Sequence, residues 1–191
     1  MVVNFDSNGG GSDVPASRGV VLGSTYGDLL PEPTRTGYTF TGWFTAASGG
    51  TEVKSSTEVT IPMSHNLYAH WEVIKYTITF VTNGGSECPN ITQEYGSSVT
   101  LPKPNRTGYT FAHWCSDAAL ETEYRGTAMP AMNVVLYAKW TANEYSVSFA
   151  EECGVSHPPI TVVFGETYDI PEQTSGDSTV LWWDVVGVAS V

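Results

Sequence analysis

Histidines, paired acidic residues and cysteines are the side chains of this 191-residue sequence that could carry out chemistry. The histidines are His65, His70, His113 and His157. A metal site or a general base requires an imidazole held at a fixed position. His70 instead occupies a position of a repeated motif where the second copy has Lys139, and His113 corresponds in the same way to Gly42. We therefore interpret the histidines as solvated surface groups.

Two pairs of acidic residues, Glu121/Glu123 and Glu151/Glu152, have the composition of a glycosidase carboxylate pair. That chemistry needs two carboxylates facing each other across a cleft. Neighbours on a strand point to opposite faces, and alternate residues share a flat face that offers no cleft. The sequence also contains no EF-hand loop, P-loop, GxSxG or CxxC motif. We therefore assign no catalytic, cofactor-binding or metal-binding residue and expect a protein that is not an enzyme.

The three cysteines, Cys88, Cys115 and Cys153, stand at different positions of the repeat. Repeats that depend on disulfides keep their cysteines in register. We therefore expect no repeated disulfide framework. A single Cys88–Cys115 bridge stays open as an alternative if the two Cα atoms come within about 7 Å of each other.

Two long motifs recur in the same order and define an internal repeat of about 70 residues. The shared strings are P-x-P-x-R-T-G-Y-T-F-x-x-W at 31–43 and 102–114, and LYAxW at 67–71 and 136–140. A third copy begins with YSVSF at 145–149 but lacks both signatures. These matches predict three modules, the last one divergent or truncated: 1–75, 76–144 and 145–191.

Strands dominate the secondary structure that we expect in each module. The segment 76–80 alternates in the manner of a strand with one buried face, and the Asn-Gly-Gly at 83–85 supplies the positive φ angles of a tight turn. Phe40 and Trp43 are three residues apart, so both can face the core only if a bulge lies between them. At most one short helical turn per module is expected. We expect each complete module to bury two tryptophans, Trp43 with Trp71 and Trp114 with Trp140.

The net charge is −12, and residues 145–191 carry seven acidic and no basic side chains. An acidic surface repels phosphate backbones, so nucleic-acid binding is not expected. No apolar run approaches the roughly 20 residues of a membrane-spanning helix, so this segment is not expected to insert into a membrane. A strand-like Val2–Phe5 directly after Met1, without a signal-peptide pattern, leads us to expect a segment of a longer protein.

The TGYTFTGW string, the upstream Asn-Gly-Gly and the LYAxW string together resemble the Listeria–Bacteroides repeat, also called the internalin B-type repeat. The resemblance covers nearly all of 2–140 and the first half of the last module. It implies a mainly β chain, α+β at most, of tandem β-grasp-like modules, each a short mixed sheet with little helix. It also implies an extracellular place on surface proteins, where such repeats look like stalks or weakly adhesive modules. The family has no established catalytic residues to transfer.

Tyr68 and Tyr137 are the candidate ligand contacts, because each lies on the strand face opposite the predicted core. Exposed tyrosines can stack on sugars or anchor a protein partner, whereas packing under a neighbouring loop is the structural alternative. Asn90 and Asn105 begin Asn-x-Thr sequons, which matter if the protein passes through a eukaryotic secretory pathway.

The sequence therefore favours a non-enzymatic extracellular repeat segment that acts as a stalk or spacer with weak adhesion. The alternative is a carbohydrate- or matrix-binding module that uses exposed aromatic residues, with a host protein, matrix protein or glycan as partner. Linkers of four residues, 72–75 and 141–144, would restrict the angle between modules. The last module must be closed by its own tail, 184–191, or by a neighbour. We expect it to be the least stable module and a site of self-association.

Overall fold

The computed structural model describes residues 1–149, 158–169, 173–175, 178–180 and 185–190. Within these ranges nearly all regular structure is strand, and the helical element is a 3₁₀ helix, Gly27–Leu29. The strands are β1 Val2–Asp6, β2 Ser17–Gly19, β3 Tyr38–Phe44, β4 Glu52–Val53, β5 His65–Val73, β6 Lys75–Val81, β7 Ile91–Glu94, β8 Tyr109–Cys115, β9 Val134–Ala142, β10 Glu144–Phe149, β11 Ile160–Val163, β12 Gln173–Ser175, β13 Ser178–Val180 and β14 Val185–Ser190. The mainly β fold class is confirmed.

The chain divides into two compact units. The first comprises Met1–Thr79, Asn90–Thr100 and Gly126–Val134, and the second comprises Phe80–Pro89, Leu101–Arg125 and Val135–Val191. The module boundaries predicted from the repeat, at 75/76 and 144/145, remain a proposal.

The first repeat forms a five-stranded mixed sheet with the strand order β2-β1-β5-β3-β4. β1 and β5 run parallel, with Val3 opposite His65 and Phe5 opposite Leu67, whereas the other pairs are antiparallel. A parallel pair requires a long crossover, and residues 7–64 provide it. The short mixed sheet with little helix that the resemblance implied is therefore present.

The core of this repeat follows from the alternation along its strands. Val3 and Phe5 of β1 are buried between exposed neighbours, and Leu67 and Ala69 of β5 are fully buried. Trp43 of β3 is 1% exposed, and its ring centroid lies 4.9 Å from that of Phe5. Burial of these large apolar side chains is the main stabilising term of so small a module.

A β-bulge brings two aromatic residues of β3 to the same face of the sheet. The register between β3 and β5 shifts between Phe40 and Gly42. Phe40 then contacts Trp43 and Trp71 with ring centroids 5.7 and 5.6 Å away. β8 carries the same shift at the equivalent position. The bulge predicted from the spacing of Phe40 and Trp43 is confirmed.

The two tryptophans of each repeat are buried to different degrees. Trp43 and Trp114 are 1% and 3% exposed, and each donates its indole N–H to a proline carbonyl twelve residues earlier, at 2.7 and 2.8 Å. Trp71 and Trp140 are half-buried and donate at 3.0 and 2.9 Å to the carbonyl that directly precedes the Asn-Gly-Gly turn. The second tryptophan thus lies at the margin of the core, where its indole fixes the turn.

The second repeat has a four-stranded sheet with the order β7-β6-β9-β8. β6 pairs antiparallel with β7, and β8 pairs antiparallel with β9. Its Asn-Gly-Gly turn has φ angles of 49° at Asn83 and 87° at Gly84, as the first turn has 47° at Asn8 and 86° at Gly9. The positive φ angles predicted for these turns are confirmed.

The first repeat has two more residues between Gly23 and Pro31 than the second has between Gly96 and Pro102, and the 3₁₀ helix Gly27–Leu29 lies in this insertion. The preceding loop keeps the same hydrogen bond in both copies: Tyr26 N–H donates to the Thr57 carbonyl and Val99 N–H donates to the Thr127 carbonyl. The insertion therefore lengthens a surface loop and leaves the surrounding framework unchanged.

The last segment is closed by its own tail. β10 pairs antiparallel with β11 on one side and with β14 on the other. β14, Val185–Ser190, therefore takes the edge for which no LYAxW strand is available, which confirms one of the two expected arrangements. Its antiparallel direction differs from the parallel β1–β5 pair of the first repeat. The lower stability and self-association expected for 145–191 remain predictions.

The thiols of Cys88 and Cys115 are free, so the bridge left open between them is not formed. Cys115 is fully buried and Cys88 is half-buried, and burial raises the pKa of both thiols. Cys153 lies outside the described residues.

Trp43→Ala should lower the free energy of unfolding by about 3–5 kcal/mol, because the side chain is fully buried and leaves a cavity. Trp71→Ala should cost clearly less, since that indole is half-buried. Urea unfolding of the two variants beside the unsubstituted chain measures the difference. An equal or larger loss for Trp71→Ala would show that the turn contact, rather than the core, governs stability.

Candidate functional site

The structure places both candidate tyrosines at half-buried positions on the last strand of their repeats. Tyr68 of β5 lies opposite Phe44, and its hydroxyl accepts a hydrogen bond from Asn66 Nδ2 at 3.4 Å. Tyr137 of β9 lies opposite Cys115. The two tyrosines occur at equivalent strand positions, and their role as ligand contacts stays a prediction.

Two of the described histidines, His65 and His70, are packed side chains rather than freely solvated groups, which corrects the sequence interpretation for these two. His70 stacks on Phe44 with ring centroids 3.8 Å apart, and its Nε2 lies 2.9 Å from the Ala46 carbonyl oxygen. His65 is hydrogen-bonded to the Tyr26 hydroxyl. Each of these two rings therefore takes part in packing or hydrogen bonding within the first repeat. His157 lies outside the described residues.

The acidic pair Glu121 and Glu123 is exposed. Arg125 donates to Glu123 Oε2 from Nη2 at 2.6 Å, and this hydrogen bond holds the pKa of Glu123 below its usual value. A general acid requires the opposite shift, a raised pKa. Glu151 and Glu152 lie outside the described residues. Within the described ranges no group of three or more potential ligands could hold a metal ion, and no helix has the length and apolar character of a membrane span.

The Arg-Thr-Gly-Tyr turn is the feature that both complete repeats build in the same way. The Arg35 guanidinium carbon lies 3.8 Å from the centroid of the Tyr38 ring, and Arg106 lies 3.8 Å from that of Tyr109. The arginine is thus held over an aromatic face, a favourable cation–π arrangement. The intervening glycine has φ of 79° at Gly37, a left-handed conformation that favours glycine.

Each turn is hydrogen-bonded to the residue that leads into the next repeat. Ile74 N–H donates to the Gly37 carbonyl at 2.9 Å, and the Ile74 carbonyl accepts from Tyr95 N–H at 2.9 Å. One residue, Ile74, therefore separates β5 from β6, where the sequence suggested a linker of four. The connection is fixed on both of its polar groups.

The second junction repeats this arrangement with different side chains. Asn143 N–H donates to the Gly108 carbonyl at 2.9 Å, and the Asn143 carbonyl accepts from Phe164 N–H at 2.9 Å. Asn143 is likewise the single residue between β9 and β10. Because the linker is Ile in one case and Asn in the other, the shared geometry comes from the backbone.

An aromatic residue of the next repeat lies directly against the turn glycine. A Cβ added at Gly37 would overlap the Tyr95 ring, and one added at Gly108 would overlap the Phe164 ring. Tyr38 and Tyr95 meet edge to face with centroids 6.2 Å apart, and Tyr109 meets Phe164 at 5.5 Å. The glycine therefore serves two purposes, the turn conformation and the seat for an aromatic ring.

This junction was not predicted from the sequence. The signal was present in the recurrence of an aromatic residue before glycine, Tyr95-Gly96 and Phe164-Gly165, at the same offset after each module start. The recurrence alone does not reveal the contact, because the contact joins residues that are about 58 positions apart in two different copies.

A cleft lies beside the turn of the second repeat. It has a volume of about 560 Å³, and its lining includes Lys103, Arg106, Tyr109, Phe111 and Trp140. Smaller clefts of about 280 and 510 Å³ flank Arg35 and Tyr38 in the first repeat. Neither Tyr68 nor Tyr137 lines these three clefts.

A family model described as the Listeria-Bacteroides repeat domain matches residues 2–70 and 76–139. A protein of Evansella cellulosilytica described only as a membrane protein is 33% identical over 188 residues, covering 95% of this chain and 27% of the relative. A Gly-rich membrane protein of the same bacterium is 35% identical over 158 residues, covering 77% and 18%. Internalin H of Listeria monocytogenes is 36% identical over 123 residues, covering 61% and 22%. The chain thus spans at most 27% of the length of these relatives.

Gly108→Ala should open the second junction, whereas Gly96→Ala should leave it closed. Both glycines have nearly the same φ, 77° and 76°, so the variants share the backbone strain, but Gly96 has nothing within 4 Å of an added Cβ. We expect the Phe164 amide to exchange with solvent at least about tenfold faster in Gly108→Ala than in Gly96→Ala. Amide exchange measured by NMR is the test, and equal rates would mean that the glycine seat does not hold the junction.

Proposed function

This chain belongs to the Listeria–Bacteroides repeat family, and from that premise we propose that it is a non-enzymatic extracellular segment that acts as a stalk or spacer. Its relatives are described as membrane proteins and an internalin, and each is several times longer than the chain. A spacer holds other parts of such a protein away from the surface that carries it. Consecutive modules of a spacer must therefore keep their orientation without help from a ligand.

The observation that carries the proposal is the junction built identically in two places. A linker of one residue has both backbone polar groups bonded, one to the turn glycine behind it and one to the aromatic residue ahead. A flexible tether would leave these groups in water and would use several residues. The construction supports restricted motion between successive repeats.

Energetics agree with a closed junction. Each backbone hydrogen bond contributes about 1 kcal/mol net. The edge-to-face pair, Tyr38 with Tyr95 or Tyr109 with Phe164, contributes about 0.5–1.5 kcal/mol beyond its buried area. Ordering a single linker residue costs about 1–2 kcal/mol. The balance favours the closed state, since most of the chain on either side is already ordered by its own sheet.

The extracellular location is supported by the relatives, which are described as membrane proteins and an internalin. Asn90 and Asn105, which begin the two sequons, are both exposed, so a glycan could be attached at either without unfolding. The net charge of −12 keeps such a surface soluble and discourages contact with nucleic acid.

If the junction is stiff, the first and second repeats should tumble together in solution. Backbone ¹⁵N relaxation of the full chain should then give one rotational correlation time for residues 2–70 and 76–139. Gly37→Ala should give two different, shorter correlation times, because an added methyl displaces the Tyr95 ring. Gly23→Ala is the matched control, with φ of 81° and nothing within 4 Å of its Cβ.

Independent tumbling of the two repeats in the unsubstituted chain would argue against a stiff spacer. The same correlation times in Gly37→Ala and in Gly23→Ala would show that the stiffness has another source than the glycine seat.

The cleft beside Arg106 favours glycan binding as a second candidate function. It combines two cationic side chains, Lys103 and Arg106, with the aromatic rings of Tyr109 and Trp140. Aromatic faces stack on sugar rings, and cations attract the carboxylate of an acidic sugar. The partner class is then an acidic glycan of a host surface or matrix.

A glycan array probed with the full chain separates the two functions. Saturable binding that is lost in Lys103→Ala and kept in Tyr137→Ala would place the ligand in the cleft. The reverse pattern would favour the tyrosine face that the sequence suggested. A chain that acts only as a spacer gives no saturable signal, and this is the result that we expect.

A further inference from the structure

Residues 21–23 of the first repeat correspond to the segment around Tyr95 that packs on the turn glycine of the preceding repeat. Gly23 N–H donates to the Val59 carbonyl just as Gly96 N–H donates to the Met129 carbonyl, both at 2.9 Å. The two glycines also have similar φ angles, 81° and 76°. Leu22 therefore occupies in the first repeat the place that Tyr95 occupies in the second.

The same correspondence holds in the last segment. Gly165 has φ of 86° and follows Phe164, which lies against Gly108. Leu22, Tyr95 and Phe164 are thus three copies of one position: a large apolar residue that precedes a left-handed glycine. Two of the three are seated on an Arg-Thr-Gly-Tyr turn.

Leu22 differs from the other two copies in its backbone. The Tyr95 and Phe164 amides donate to the linker carbonyl, whereas the Leu22 amide has no hydrogen-bond partner within the described part of the chain. Its side chain is 52% exposed, and the neighbouring Val21 is 70% exposed. Phe164 is itself 41% exposed when seated, so the amide, rather than the exposed fraction, distinguishes the open copy.

We infer that the surface formed by Val21, Leu22 and Gly23 is a docking site for the Arg-Thr-Gly-Tyr turn of another repeat of this family, presented in line as at the two described junctions. The inference rests on the proposed spacer function and names the partner of its open surface. Leu22 would lie on the turn glycine of that repeat, and the Leu22 amide would donate to its linker carbonyl.

The partner turn cannot come from this chain. Gly37 is covered by Tyr95 and Gly108 by Phe164, and the sequence of 145–191 contains no Arg-Thr-Gly-Tyr. A second identical molecule therefore has no vacant turn to present, and its charge of −12 also repels the first. Only a repeat whose turn is vacant fits the surface.

The test is a full chain extended by one repeat, with a copy of residues 76–144 placed directly before Met1. This spacing reproduces the connection through Asn143 that leads into β10. Solvent exchange of the Leu22 amide is measured by NMR in the original and the extended chain, with the Tyr95 and Phe164 amides as internal references. We expect the Leu22 amide to exchange at least about tenfold more slowly in the extended chain.

Two variants of the added copy identify the contact. Gly108→Ala in the copy should abolish the slowing, because its methyl occupies the seat. Gly96→Ala in the copy should preserve the slowing, since it introduces the same backbone strain at an open position. The fold of the copy is verified from the protection of its own Leu136 amide, whose counterpart is fully buried.

Unchanged exchange of Leu22 beside a folded copy would overturn the inference. Slowing that rises with protein concentration would also overturn it, in favour of association between molecules. Failure of the spacer function looks different: the Tyr95 and Phe164 amides would then exchange freely in the original chain.

Discussion

A glycine without a side chain at the centre of the Arg-Thr-Gly-Tyr turn is the constraint on which the rest of the structure depends. Its positive φ angle turns the chain from the proline-rich crossover into strand β3 or β8. Its missing Cβ leaves the space in which Tyr95 or Phe164 lies. Any other residue would both strain the turn and fill that space. One position thus links the folding of a repeat to its attachment to the next.

Within each repeat, the flanking residues of the same motif carry out the packing. The bulge after Phe40 lets two aromatic residues of one strand share a face, and Trp43 fills the centre of the module. The motif is long because a module of this size has few residues with which to build a core. Packing and the junction together therefore explain why the motif recurs in both copies.

Local features of the fold could be predicted from the sequence. Alternation located the strands, the Asn-Gly-Gly turns followed from their φ requirement, and the spacing of Phe40 and Trp43 required a bulge. Long-range contacts could not be predicted in this way. The Trp71 indole donates a hydrogen bond to the Ser7 carbonyl, and the His70 ring stacks on Phe44 of the neighbouring strand. Such contacts depend on register and on how far an indole or imidazole reaches, neither of which appears in residue spacing.

The direction of the strand pair that closes each end of the chain determines how it responds to pulling. In the first repeat, β1 and β5 run parallel, so the start of β1 and the end of β5 lie at opposite ends of the strand pair. Tension would therefore load the pairs from Val3–His65 to Asp6–Tyr68 in shear, all at once. In the last segment, the antiparallel β10 and β14 place the start of one strand beside the end of the other, at Tyr145 and Ser190. Tension there would peel the pairs apart one at a time. The β1–β5 pair would thus resist tension more strongly than the β10–β14 pair, which would separate first.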